Sequence, residues 1–236
     1  MDAIMEKRLS EANDLREAEK YGEAAKLYTD CLLDLVTAND QAGLIHCLGG
    51  QSLIYKILSR QNQNQTYKNL TISFASEAYR IGVHNADKLD GRVLSIAYSS
   101  YGDALLMDGK VSESLPLFEK ALSVSTADLP EKGRLKAHIG GIKYLLGEKE
   151  LGKSLIGEAL SEIRTGDLNA YAIRVWETGA LNGLSKIYAL EGQKEKALEI
   201  ASESLKISIE HQLSIRKKEA EEILQKINAN STDFSI

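Results

Sequence analysis

The chain has 236 residues, 43% hydrophobic and 27% charged, with a net charge of -5 and a pI near 5.5. The acidic surplus argues against nucleic acid as principal ligand, because that role calls for a basic face able to displace counterions. No apolar run reaches the ~20 residues that span a bilayer, and the charged start Met1-Asp2-Ala3-Ile4-Met5-Glu6 lacks the apolar stretch of a signal peptide, so no membrane partner and a cytoplasmic location are expected.

Only 2 prolines interrupt the chain, which favours helix nearly throughout, and Pro116 and Pro130 are expected near helix starts. The helices are expected in pairs. The first pair covers about 3–37, with Ala12-x-x-Leu15 on one helix and Tyr21-x-x-Ala24-x-x-x-Tyr28 on the next, spaced to face one side. The second, at 39–86, is irregular. Ile45-x-x-Leu48-Gly49 marks its first helix, with Gly49 as the small crossing residue, and Thr71-x-x-x-Ala75-x-x-Ala78 marks its second; a polar loop from Ser59 to Gln65 is expected to stretch it.

The third pair, 88–126, carries Tyr98-x-x-Tyr101-Gly102-x-x-Leu105, a stop at Gly109, and then Leu115, Phe118, Ala121 and Leu122 facing inward. The fourth, 130–165, carries Ile139-Gly140, Gly147, Gly152-x-x-x-Ile156 and Ala159-Leu160. The fifth, 168–210, carries Leu181-x-x-Leu184-Ser185-x-x-Tyr188, Gly192, Ala197-x-x-x-Ala201 and Ser204. Residues 213–228 form an amphipathic segment suited to covering the last open face, and 229–236 read as a frayed tail.

One ruler underlies these pairs. Gly102, Gly140 and Ser185 each precede a turn glycine by seven residues (Gly109, Gly147, Gly192). Phe118, Ile156 or Ala201 follows nine residues later, and Ala121, Ala159 or Ser204 three after that. A fourth copy reads Ala12, Glu19, Tyr28, Cys31, without the glycine. Periodic self-similarity of this kind marks a stacked repeat, in which each unit buries its apolar face against its neighbours.

The pattern Tyr98-x-x-Tyr101-Gly102-x-x-Leu105 with Ser114-x-x-x-Phe118 and Ala121 resembles the tetratricopeptide repeat, W-x-x-L-G-x-x-Y followed by A-x-x-x-F. The anchors Ala12, Gly49, Gly102, Gly140 and Ser185 lie 37, 53, 38 and 45 residues apart against the usual ~34, so the resemblance is to a long-repeat variant. It implies an all-α fold: one domain over 1–228, a right-handed superhelix (α-solenoid) of about five hairpins plus a C-terminal capping helix. It also implies a non-catalytic scaffold or adaptor that binds a helical or extended peptide in its concave groove. The alternative is a regulatory sensor that binds a short peptide or small ligand and changes curvature.

Residues that could carry chemistry are sparse. His46, His84, His138 and His211 lie on different helices and form no His-x-x-x-His or Cys-x-x-Cys pair, so no metal, no cofactor and no enzymatic activity are expected. Gly49-Gly50 and Gly140-Gly141 precede no Gly-Lys-Ser/Thr and read as close packing. Cys31 and Cys47 read as buried free thiols, and Arg216-Lys217-Lys218, followed by Glu219, as a solvated helix face. Trp176 is either core or a binding anchor. A carboxylate clamp of the chaperone-tail kind is not expected: Asn13 fits it, but Leu9, Cys47, Ile96 and Ser100 stand where its other polar groups would be.

A groove remains as the candidate site. One residue after each anchor and one turn to either side come His46, Gly50, Leu53 and Ile54, then Ser99, Asp103, Leu106 and Met107. The fourth and fifth pairs add Ala137, Gly141, Tyr144, Leu145, Asn182, Lys186, Ala189 and Leu190. The expected peptide-binding residues are His46, Leu53, Asp103, Leu106, Met107, Tyr144, Leu145, Asn182 and Lys186, a mixed lining suited to a protein or peptide partner. In the alternative reading the stripe is core.

Overall fold

The computed structural model describes residues 3–234, and among them the chain is all-α, with eleven helices and no strand. They form five hairpins: α1 (Ala3–Glu17) with α2 (Tyr21–Ala38), α3 (Gln41–Asn62) with α4 (Gln65–His84), α5 (Gly91–Met107) with α6 (Val111–Val124), α7 (Leu129–Leu145) with α8 (Lys149–Ile163), and α9 (Tyr171–Leu190) with α10 (Lys194–Glu210). A single helix, α11 (Ser214–Asn228), follows. The chain falls into two compact units, Met1–Thr126 and Ala127–Ile236. Three hairpins make the first; two hairpins and α11 make the second.

Left-handed residues set the turns. Each hairpin turn contains one: Glu19 (φ 60), Gln63 (φ 48), Gly109 (φ 77), Gly147 (φ 95) and Gly192 (φ 73). At Gly109 the turn closes with Lys110 N–H donating to the Leu105 carbonyl at 2.9 Å and Gly109 N–H to Leu106 at 3.0 Å, the Schellman arrangement. Glu19 makes the same turn without glycine, with Lys20 N–H donating to Leu15 at 2.9 Å and Glu19 N–H to Arg16 at 3.0 Å. The first copy of the ruler has lost the residue and kept the conformation.

The second hairpin departs from the loop expected between Ser59 and Gln65. Helix α3 runs on to Asn62 and α4 begins at Gln65, so only Gln63 and Asn64 connect them. Gln63 takes the left-handed turn, and the Asn64 side chain caps α4 by accepting from Thr66 N–H at 2.8 Å. A turn closed in two residues puts the extra length into the helices. Pro116 also differs from expectation: it lies on the exposed side of α6 in its second turn, whereas Pro130 stands in the first turn of α7.

In the first unit the core gathers Leu9, Ala12, Tyr28, Leu35, Ile45, Leu48, Ile54 and Ala78. Stacked rings extend it: Tyr55 lies between Tyr67 and Phe74, at 5.9 and 5.7 Å, and Tyr79 meets Tyr101 at 4.9 Å. In the second unit Tyr144, Ile156, Ile163, Leu181 and Ile187 form the main cluster, with Trp176 packed on its edge. Ala197, Ala201, Ile223 and Ile227 form another, which holds α11. Phe234 packs against that cluster, and Asn230 accepts from Lys194 at 2.8 Å; the tail's final residues, 235–236, lie outside the described ones. No described helix is long and apolar enough to cross a membrane.

Candidate functional site

The anchors fix which way each first helix faces. A Cβ built at Gly102 would lie 2.7 Å from the Phe118 ring, and one at Gly140 would lie 2.7 Å from the Gly152 carbonyl oxygen. Ser185 occupies the same position with a hydroxyl that donates to the Ala197 carbonyl at 2.8 Å. In the second hairpin the crossing residue is Ser52, not Gly49. The Ser52 hydroxyl donates to the Thr71 carbonyl at 3.0 Å, while a Cβ at Gly49 would meet only Ser100 and Ile96 of α5 at ordinary contact distance. Thr71, Ala75 and Ala78 then repeat the spacing of Ser114, Phe118 and Ala121, and all six are buried.

Helix geometry now sorts the expected groove residues. At about 100° per residue, the position four after an anchor turns only ~40° from the packed side and the position three before it ~60°, whereas the next residue turns ~100° and the fifth ~140°. Tyr144 (four after Gly140) and Asn182 (three before Ser185) are accordingly buried, so neither lines an open surface. Leu145, five after Gly140, is 43% exposed. Leu53, Leu106 and Met107 are half-buried, as is His46, which lies outside the register set by Ser52.

Ion pairs join several of these faces. Lys56, one turn past Ser52, meets Asp103 at 2.8 Å and ties α3 to α5 within the first unit. In the second unit Lys186 meets Glu219 of α11 at 3.1 Å, and Arg216 meets the same carboxylate at 2.8 Å. Arg216 therefore belongs to a packed bridge and not to the solvated face expected for the basic run; Lys217, exposed and 3.7 Å from Glu221, does belong to that face. Sequence reasoning missed Lys56 and Glu219. Placing the anchor at Ser52 would have brought out Lys56.

At the clamp-like position, the Asn13 side-chain oxygen accepts from the Tyr28 hydroxyl at 2.7 Å and from Arg16 at 2.9 Å, so an internal pair uses it. Burial pushes the Tyr28 phenol up to about 12 and the Cys47 thiol up to about 12. Cys47 donates to the Tyr28 carbonyl at 2.8 Å, and both cysteines are buried and free. A thiol held protonated in this way is a poor nucleophile at neutral pH. Among the described residues no group of three or more His, Cys, Asp or Glu side chains is placed to hold a metal ion.

No protein-family model and no curated protein matches the chain. Solved structures do. A point variant of a kinesin light chain-type protein with nearly identical TPR-like repeats, from Podosopora anserina, superposes with a TM-score of 0.56 at 13% identity, covering 91% of this chain and 100% of its own. BtubC (BKLC) from P. vanneervenii superposes with a TM-score of 0.53 at 14% identity, covering 97% of this chain and 91% of its own. The fold is a TPR-like helical repeat. At this level of identity the likeness is one of fold, and the ruler residues Gly102, Gly140 and Ser185 supply its physical basis here.

Proposed function

We propose that the chain is a non-catalytic interaction module that holds a helical or extended segment of another protein on the faces of its first helices. The observation that carries this reading is the position of Leu53, Leu106 and Met107. They are half-buried apolar side chains on α3 and α5, with Leu53 and Met107 turned away from the packed side, and the Lys56–Asp103 pair flanks them. An apolar strip bordered by fixed charges suits an amphipathic helix or an extended apolar peptide, because the strip supplies burial and the charges set orientation. In the second unit Leu145 and Lys186 offer the same chemistry on α7 and α9.

The test is affinity capture from an extract of the native organism with the wild type and with Leu53→Glu/Met107→Glu. Both replaced side chains are only half-buried and lie on the outward sides of their helices, so the helices should remain intact by circular dichroism while the captured proteins are lost. Ile209→Glu, on the exposed side of α10, serves as control and should leave capture unchanged. Identical capture by all three proteins would remove the proposed surface. A second reading, a sensor that takes a short peptide, draws support from one feature of the second unit: the buried side-chain amide of Asn182, which lacks a hydrogen-bond partner at both its nitrogen and its oxygen.

A further inference from the structure

Buried amides normally find partners, because an unmet one keeps the full penalty of leaving water with nothing to offset it. Asn182 is fully buried on α9, and neither its Oδ1 nor its Nδ2 has one. Its surroundings follow from its own helix. Gly179, Asn182 and Lys186 lie on successive turns of one face of α9, about 6 Å apart. Both ends of that face are covered from α11. A Cβ built at Gly179 would stand 3.1 Å from Arg216 Nη2, so the guanidinium fills the space where a side chain would be. At the other end, the Glu219 carboxylate meets Lys186 at 3.1 Å and Arg216 at 2.8 Å. The amide of Asn182 therefore lies beneath a bridge of two cations holding one carboxylate.

We propose that this bridge is a closed binding site for an acidic peptide segment, with Glu219 occupying the seat of the segment's own carboxylate. The inference rests on the reading of first-helix faces as the binding surface and names the chemistry of one partner. When Glu219 swings out, Lys186 and Arg216 are left with an unmatched positive charge, and an Asp or Glu side chain of the partner restores the balance by the same charge-assisted hydrogen bonds. The displaced bridge also uncovers Asn182, whose donor and acceptor match the C=O and N–H of one peptide unit. Opening needs only the rotation of long, partly exposed side chains. Leu213, Ala220 and Ile223 stay seated and hold α11 in place.

The proposed occupant is an internal acidic residue, whose side-chain carboxylate matches the Glu219 side chain that it replaces. The seat in the closed state is taken by a side chain of this same protein. Glu219 thus acts as an internal competitor, and affinity for an outside ligand is reduced by the fraction of time the bridge is closed.

The test uses the full-length protein and three fluorescent pools of ten-residue peptides of otherwise random sequence, read by anisotropy. One pool is amidated with a central Glu, one is amidated with a central Gln, and one has a central Gln and a free C-terminal carboxylate. The Glu pool is expected to bind best. Glu219→Gln should tighten it about tenfold, as release of a site closed about nine-tenths of the time would. Glu221→Gln removes the same charge from the neighbouring exposed pair and should change nothing. Asn182→Leu should weaken the Glu pool about tenfold, the loss expected for about 1.4 kcal/mol. It should also raise the melting temperature by about 2–4 °C, since an unmet buried amide is replaced by an apolar group of similar size.

Several results would overturn the proposal. Binding by the free-carboxylate pool alone would make the seat one for chain ends. A lower melting temperature for Asn182→Leu would mean that its amide serves the fold. Failure of every pool to bind Glu219→Gln, a substitution at the surface that leaves the core intact, would leave no site to open. Equal binding of the Glu pool by wild type, Glu219→Gln and Asn182→Leu would place recognition elsewhere while leaving the broader interaction reading in force.

Discussion

The hairpins α7–α8 and α9–α10 meet at the same ruler position by different chemistry. In the first, Gly140 lets backbone approach backbone, with the Gly152 carbonyl oxygen only 2.7 Å from where a Cβ would stand. In the second, Ser185 brings a hydroxyl to the matching carbonyl, Ala197, at 2.8 Å. The second hairpin of the chain follows the serine solution with Ser52 and Thr71, and the third follows the glycine solution against the Phe118 ring. What the repeat keeps is therefore a close approach at the crossing and not a residue type. Space can be left empty or filled by a group that bonds to what it touches.

The largest expected effect separates these solutions. Gly140→Ala should cost about 3 kcal/mol, the upper end for overpacking, because the new methyl meets backbone atoms that cannot rotate away. Urea unfolding checks it, and an unchanged midpoint would mean that the two backbones move apart freely. Gly102→Ala should cost about half as much, since its methyl meets the Phe118 ring, a side chain that can tilt. Ser185→Ala should cost about 1 kcal/mol, the net worth of one buried hydrogen bond, without moving the helices. If Ser185→Ala cost as much as Gly140→Ala, the hydroxyl would be more than a filler of the crossing.

The smallest effect has the opposite sign. Glu19 holds a left-handed turn at φ 60 that three other hairpins assign to glycine. A left-handed non-glycine residue costs ~1–2 kcal/mol, partly offset by the extra chain entropy that glycine loses on folding. Glu19→Gly should therefore raise stability by somewhat under about 1 kcal/mol, visible as a small rise in melting temperature. A fall would show that the Glu19 side chain does more for the fold than its backbone costs.

The same contrast explains what the residues disclosed in advance. Hairpins one, three, four and five were legible because their crossing and turn residues stand at fixed spacings with no gap. The second was misread because it is longer by seven residues, with four more between anchor and turn and three more between turn and Thr71. Its Gly49-Gly50 pair drew attention from Ser52, although Ser185 already showed that a hydroxyl can hold the position. Gly50 makes room for the preceding hairpin instead, since a Cβ there would stand 2.3 Å from the Tyr28 ring.

The candidate surface was legible only in part, for an angular reason. Residues one turn from an anchor lie close to the packed side, so Tyr144 and Asn182 are buried, while Leu145 and Met107 turn further out. That Lys186 pairs with Glu219 and Asp103 with Lys56 was not legible, because ion pairs between helices follow from packing and leave no periodic trace. Glu219 shows this most plainly. In sequence it is one of several acids after a basic run, yet in the fold it meets Lys186 across from α11.

The central claim is that partners lie on the faces of the first helices, and photo-crosslinking tests it most directly. A benzophenone amino acid is placed at Met107, on the outward side of α5, or at Lys120, exposed on α6, and each protein is irradiated in an extract of the native organism. The account predicts discrete protein adducts from Met107, lost on Leu53→Glu, and none from Lys120. Adducts from Lys120 alone would contradict it and move recognition to the second helices.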